Sequence, residues 1–291
     1  MKHALVFGGS GQIGRPLLGR LLRDGWCITA LSRQPQHERL GLSWLRGDFA
    51  ALPALPNEAD VILSCGPLDA FAHWYAGSNI ECDRVIAFGS TSIEVKRGSA
   101  DPRERDVAQR LRAGEEGVFA GATARSAKAT LLRPTLIYGA GRDATLTRIA
   151  QLAQRWGRFP LPRNATGLRQ PVHVDDLAAA AFAAIGSAVS FGQTYALPGG
   201  EALTYREMVS RVLAVLDPPP TLIELPSPLF NVALATAKLM GRGTGLGEAA
   251  VQRMRSDLVF DATPAQRDLG YAPRRFMPTA KMFETREDDE A

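Results

Sequence analysis

Three glycines, Gly8, Gly11 and Gly14, constrain this chain more than any other feature. They follow the apolar run Ala4-Leu5-Val6-Phe7 and open a stretch in which Ile13, Leu17, Leu18, Leu21 and Leu22 share one helical face. A buried strand, a glycine turn and an amphipathic helix make the first unit of a doubly wound α/β sheet. Glycine suits that turn because the backbone must bend sharply and approach a pyrophosphate closely. The helix N-terminus adds free N–H groups and a partial positive charge. Pro16 falls in the first helical turn, where a missing N–H costs little. Gly8, Gly11, Gln12, Ile13 and Gly14 are therefore expected to cradle the phosphates of a dinucleotide.

Further strands are expected at 26–31, 43–46, 60–64, 84–88 and 129–137, with a charged helix at 101–120. The segment 60–64 is continuously apolar, as a strand buried on both faces should be. This alternation predicts a Rossmann-type, doubly wound parallel sheet with ligands at the carboxyl ends of its strands. Cys65, Gly66 and Pro67 after the fourth strand, and Pro134 on the sixth, accordingly join the cofactor side. Beyond residue 140 the periodicity weakens, with helices expected at 143–156, 175–185 and 204–216 and a strand at 193–197. Thr204 and Glu207 form a capping-box pattern. Residues 229–240 are apolar almost all round, suiting a core helix, a greasy lid or a dimer surface, and 241–247 read as a glycine-rich hinge. The expected organisation is a cofactor domain over 1–165 with later elements interleaved, a smaller C-terminal substrate lobe over 166–283, and a mobile acidic tail at 284–291.

The second strand ends in Leu31-Ser32-Arg33, with no acid to take the adenosine ribose hydroxyls. Ser32 can donate to a 2′-phosphate and Arg33 can pair with it through two N–H groups, which favours NADP over NAD. Arg33 as an ordinary exposed turn residue is the alternative. Asp48, after the third strand, either accepts from the adenine amine or simply forms a Gly-Asp turn. The chain carries a net charge of +4, and five acids lie in its last eight residues, so the remainder is more basic and suits a phosphate-bearing ligand. The basic residues are spread, with no nucleic-acid motif. Cys27, Cys65 and Cys82 form no C-x-x-C pair, the four histidines are scattered, and no metal spacing is present. The chain enters a strand at once and holds no run approaching the ~20 apolar residues that span a bilayer. A cytoplasmic protein with free thiols is expected, and a homodimer is left open.

Five stretches resemble the short-chain dehydrogenase/reductase superfamily, in its extended branch of NAD(P)-dependent epimerases and dehydratases. They are Gly8-x-x-Gly11-x-x-Gly14; Phe88-Gly89-Ser90-Thr91-Ser92; the run from Leu132-Arg133-Pro134 through Tyr138-Gly139 to Asp143; Pro171-Val172-His173-Val174-Asp175-Asp176-Leu177-Ala178; and Phe260-Asp261 through Asp268-Leu269-Gly270-Tyr271-x-Pro273. The resemblance implies a Ser or Thr, a Tyr and a Lys acting together, the last two spaced Tyr-x-x-x-Lys on the helix after strand five. Ser90 matches the serine. Aligning Glu116 with the glutamate that commonly follows the lysine puts Arg112 at the lysine position and Ala108 at the tyrosine. No tyrosine occurs from 90 to 137.

Arg112 cannot shuttle protons near neutral pH, but it can hold a ribose hydroxyl or add positive potential. Tyr138 is expected near the nicotinamide end, where the resemblance implies mostly packing and a substitute proton donor is the alternative, and Glu94 or Lys96 could serve a dehydratase-like reaction. Thr91, Ser92, Arg142, Arg169 and His173 are expected on the substrate side, the two arginines either as grips for a phosphate or as solvated loop residues, and His173 foremost as a helix-capping residue. His73, Trp74 and Tyr75 read as packing or pocket-lining aromatics. The resemblance implies an NAD(P)-dependent oxidoreductase or epimerase acting on a carbonyl or sugar-nucleotide substrate. The alternative is a non-catalytic NADP-binding protein of the same fold that senses redox state or assembles with partners.

Overall fold

Apolar side chains alternate between two buried faces along β1 (His3–Phe7), and its neighbours in the sheet repeat the pattern. The computed structural model describes residues 2–226, 228–230, 232 and 252–284. After β1 come α1 (Gly14–Arg23), β2 (Cys27–Ser32), β3 (Leu42–Arg46), β4 (Glu58–Ser64), α2 (Leu68–Gly77), β5 (Glu81–Phe88), α3 (Ser92–Val95), α4 (Pro102–Ala124) and β6 (Lys128–Pro134). The chain continues through β7 (Ile137–Tyr138), α5 (Leu146–Trp156), β8 (Arg158–Pro162), β9 (Leu168–Arg169), β10 (Val172–His173), α6 (Val174–Gly186) and β11 (Thr194–Leu197). Then follow β12 (Leu203–Thr204), α7 (Tyr205–Ala214), β13 (Thr221–Leu225) and a last helix, Thr263–Leu269.

Two compact units share these elements. The first takes 1–135, 174–197 and 261–272; the second takes 136–173, 198–260 and 273–291. In the first, seven strands lie in the order β11-β6-β5-β4-β1-β2-β3, and every pairing is parallel. The chain runs outward from β1 to β3 and returns to β4, so the order reverses between β1 and β4. Leu5, Phe7, Ile62, Val85 and Ala87 share one core with Leu68, Phe71 and Tyr75 of α2 and Val118 and Ala122 of α4. Phe7 stacks on Phe49 with ring centroids 5.1 Å apart and lies 4.3 Å from Trp74. Trp74 and Tyr75 are thus packing residues, and His73 is exposed.

Buried Arg84 of β5 ties neighbouring elements together. It donates to the Thr130 hydroxyl (2.6 Å), the Lys128 carbonyl (2.7 Å), the Ala184 carbonyl (2.7 Å) and the Ser190 hydroxyl (2.7 Å). Burial lowers its pKa to about 10, which still leaves it charged at neutral pH.

The second unit has its own core, in which Leu146, Ile149 and Ala153 of α5 meet Met208, Val209 and Val212 of α7. Three two-stranded pairings accompany it: β7 with β10, β9 with β12, and β8 with β13. The parallel β8–β13 pair was not anticipated, because Pro160 and Pro162 argue against a strand interior.

The single strand expected over 129–137 is two. Pro134 has no N–H to donate, and Ile137 and Tyr138 pair instead with Val172 and His173. The helix expected over 101–120 runs on to Ala124, started by Asp101, whose carboxylate accepts from the Arg103 N–H at 2.9 Å. Of the apolar segment 229–240, the hinge 241–247 and the tail 284–291, all but Leu229, Phe230, Val232 and Glu284 lie outside the described residues. No helix among the described residues is long and apolar enough to cross a membrane.

Candidate functional site

The turn after β1 is shaped by two glycines for different reasons. Gly8 has φ +71°, a conformation that L side chains rarely adopt, and a Cβ there would also stand 3.0 Å from the Cys65–Gly66 peptide. Gly14 is required by space, since a Cβ would fall 2.2 Å from the Gly8 carbonyl oxygen. The Gly11 N–H donates to that carbonyl at 3.0 Å, closing the turn. Ile13 stands at the N-cap of α1 and no side chain caps the helix; within its first turn the Arg15 N–H donates to the Gly11 carbonyl at 3.1 Å and Pro16 has no N–H. Arg15 braces the loop from behind by donating to the Ser10 carbonyl at 3.1 Å. A tight backbone cradle at an uncapped helix N-terminus fits a pyrophosphate. Gln12 is half-buried within this loop, with its Oε1 enclosed and unpartnered, and Ile13 is buried.

Because the sheet is parallel, the ends of β1, β2, β4, β5 and β6 fall along one edge. Ser32 closes β2; it is buried, and its hydroxyl accepts from the Gln34 N–H at 3.2 Å. Arg33 beside it is exposed. The Asp48 carboxylate accepts from the Ala50 and Ala51 N–H groups at 2.9 and 3.2 Å, which makes it a turn former whatever else it does. Cys65 and Gly66, at the end of β4, back directly on Gly8; burial pushes the Cys65 thiol up to about 12, so it is protonated at neutral pH. Pro67 follows them, exposed.

At the end of β5, the Ser90 hydroxyl accepts from the Ser92 N–H at 3.1 Å. Thr91 is buried, and both its N–H (3.2 Å) and its hydroxyl (3.1 Å) donate to the Pro134 carbonyl. Thr91 and Pro134 thus tie β5 to β6, and the Thr91 hydroxyl anticipated for substrate holds the strand ends instead. Ser92 starts α3.

On α4 the inward face carries Ala108, Leu111, Glu115, Val118 and Ala122, a spacing of three and four. Arg112 is exposed. Glu115 reaches Arg133 of β6 through two bonds of 2.7 and 2.5 Å, and Glu94 takes a third guanidinium bond at 2.9 Å. The Glu115 hydrogen bonds raise the Arg133 pKa above its ordinary value, outweighing burial. Glu116 is exposed, and Glu115 is the acid turned inward. An acid at an inward position of an apolar heptad was the available signal, since a buried carboxylate needs a partner.

The remaining anticipated residues lie in the second unit. Tyr138 is 1% exposed and packs edge-on against His173 (5.1 Å) and Phe276 (4.8 Å), the packing role expected of it ahead of proton donation. His173 is buried under Gly139, where a Cβ would meet its ring at 2.4 Å. Arg169 is 7% exposed, donates to the carbonyls of Leu168 (2.7 Å), Ser256 (2.8 Å) and Arg253, and lies over the Tyr205 ring. It holds a loop in place of the anticipated substrate phosphate. Arg142 is half-buried in the segment after β7.

No protein-family model matches the chain. A 2-alkyl-3-oxoalkanoate reductase of Stenotrophomonas maltophilia is 25% identical over 93% of this chain and 94% of its own length. A ceramide reductase of Caulobacter vibrioides is 28% identical over 77% of this chain and 73% of its own length. Among solved structures, a UDP-glucuronic acid 4-epimerase from Bacillus cereus in complex with NAD superposes with a TM-score of 0.70 at 13% identity, covering 97% of this chain and 94% of that one. The parallel sheet, its reversal beside the Gly8–Gly14 turn and these likenesses together give the chain the fold of the extended short-chain dehydrogenases/reductases of the NAD-dependent epimerase type.

Proposed function

We propose that the chain is an NAD(P)-dependent oxidoreductase acting on a carbonyl group of a small molecule, with NADP preferred. The observation that carries the reading is the glycine cradle at an uncapped helix N-terminus, placed on the same sheet edge as Ser90. Two relatives named as reductases support it.

Gly8, Gly11, Gln12, Ile13 and Gly14 hold the dinucleotide phosphates through backbone N–H groups. Cys65, Gly66 and Pro67 form the wall beside them, and Asp48 borders the adenine. Ser32 and Arg33 take the 2′-phosphate. A nicotinamide held there would supply or accept the hydride. Ser90, whose oxygen already accepts from Ser92, donates its hydroxyl proton to the carbonyl oxygen and stabilises the charge that grows there. Arg112 adds a fixed positive charge and exchanges no proton. The proton that completes reduction comes from solvent through Ser90, because no tyrosine lies between 90 and 137.

The test is oxidation of NADPH, followed by absorbance, with a panel of 3-oxo acids, 3-oxo esters and UDP-sugars. Turnover with at least one carbonyl compound, and a kcat at least about 10-fold lower in Ser90→Ala, is expected. The missing tyrosine favours a second reading, a non-catalytic NADP-binding protein. NADPH binding without turnover on any member of the panel would select it.

A further inference from the structure

A cavity of about 210 Å³ is lined by Ile93, Glu94, Arg97, Arg112 and Arg133. A Cβ at Gly89 would stand 3.1 Å from Glu115 Oε1 and 3.8 Å from the Arg133 side chain, which sets this wall directly against the strand end that carries Ser90. The charges lining it are not balanced. Arg133 is paired with Glu115 and Glu94, so its charge is offset within the protein. Arg97 and Arg112 have no ion pair among the described residues, and both are exposed. Glu94 faces the same space, but its bond to Arg133 keeps it engaged there. Arg97 and Arg112, from different segments, thus line one cavity with neither in an ion pair among the described residues, while the Glu94 carboxylate on the same wall is held by Arg133. Guanidinium forks match the planar spacing of oxyanion oxygens, and a ligand anion would relieve their mutual repulsion. The volume is several times the roughly 30 Å³ of one water, enough for an oxyanion and its adjoining atoms.

We propose that Arg97 and Arg112, backed by Arg133, form a subsite for an oxyanion of the substrate, a carboxylate or phosphate borne by the molecule whose carbonyl meets Ser90. The subsite is distinct from the seat of the dinucleotide phosphates, because β5 lies two strands from β1, about 10 Å across the sheet. This inference rests on the oxidoreductase reading for what the anion is attached to, but not for whether it binds.

Thermal unfolding of the full chain tests it, with and without saturating NADPH, in separate series of inorganic phosphate and 3-hydroxyoctanoate at constant ionic strength. At least one anion should raise Tm by several degrees with NADPH present. Arg103→Gln, which removes another exposed arginine of α4, should keep that shift, and Arg97→Gln/Arg112→Gln should lose it. A larger effect of 3-hydroxyoctanoate assigns the subsite to a carboxylate, and a larger effect of phosphate assigns it to a phosphorylated substrate. No shift in the wild type, or an equal shift in the double variant, overturns the proposal. NADPH affinity is followed separately by its fluorescence; its absence, with the anion shift intact, removes the oxidoreductase reading alone.

Discussion

At the scale of single residues, the contrast between Glu115 and Glu116 shows how one position decides a role. Both are glutamates on α4, yet only Glu115 meets Arg133 in a two-bond fork while nearly enclosed. Removing Glu115 breaks its two charged hydrogen bonds and leaves Arg133 with Glu94 as its remaining carboxylate partner, so Glu115→Ala should cost about 1.5–3 kcal/mol. Glu116→Ala, at an exposed site, should stay within about 0.5 kcal/mol. Urea denaturation of the two variants measures the difference, and equal effects would refute the assignment of the inward acid. Arg33 offers a functional counterpart. If it pairs with the 2′-phosphate, Arg33→Ala loses a charge-assisted bond of about 1.5–3 kcal/mol, or about 10- to 100-fold in NADPH affinity, and leaves NADH binding unchanged. Parallel losses for both nucleotides would end the argument for NADP.

At the scale of elements, local chemistry accounts for where helices begin. The Thr204 hydroxyl accepts from the Glu207 N–H at 3.1 Å, half of the capping box expected from sequence. The reciprocal half gives way to an ion pair, since Glu207 meets Arg211 one turn later at 2.5 Å. Thr204→Ala should therefore cost about 1 kcal/mol, read as a lower Tm. The α2–sheet contact is larger. Phe71 is fully buried against Phe7, Trp74 and Tyr75, and Phe71→Ala should cost about 3–5 kcal/mol. The strand and helix alternation of the first half was legible because period-two and period-3.6 patterns are local. The break at Pro134 was less so, because the partners of Ile137 and Tyr138 lie some 35 residues onward, at Val172 and His173.

For the molecule as a whole, buried acids set an alkaline limit to stability. Burial pushes the Cys65 thiol up to about 12 and the Cys82 thiol up to about 11, from an ordinary 9.0. Their contribution to stability is fully present below pH 9, where neither state ionises. As pH rises, the unfolded chain releases these protons first, so stability falls by up to about 1.4 kcal/mol per pH unit for each thiol until the folded values are reached. The urea midpoint should thus drop between pH 8.5 and 10.5. A Cys65→Ala/Cys82→Ala variant should show a shallower decline, and an unchanged slope would contradict the assignment.

What the sequence determined by itself was the strand-turn-helix of residues 3–23, the parallel alternation that follows, and the glycine cradle, because backbone conformation and hydrophobic period are written in adjacent residues. The absence of a tyrosine between 90 and 137 was equally plain there. Only the tertiary structure decided that Glu115 and not Glu116 meets Arg133, that Tyr138 and Arg169 are enclosed, and that Arg97 joins Arg112 on one cavity. Each of these depends on which faces of separate elements meet, a property set by packing between residues distant in the chain and carried by no local pattern.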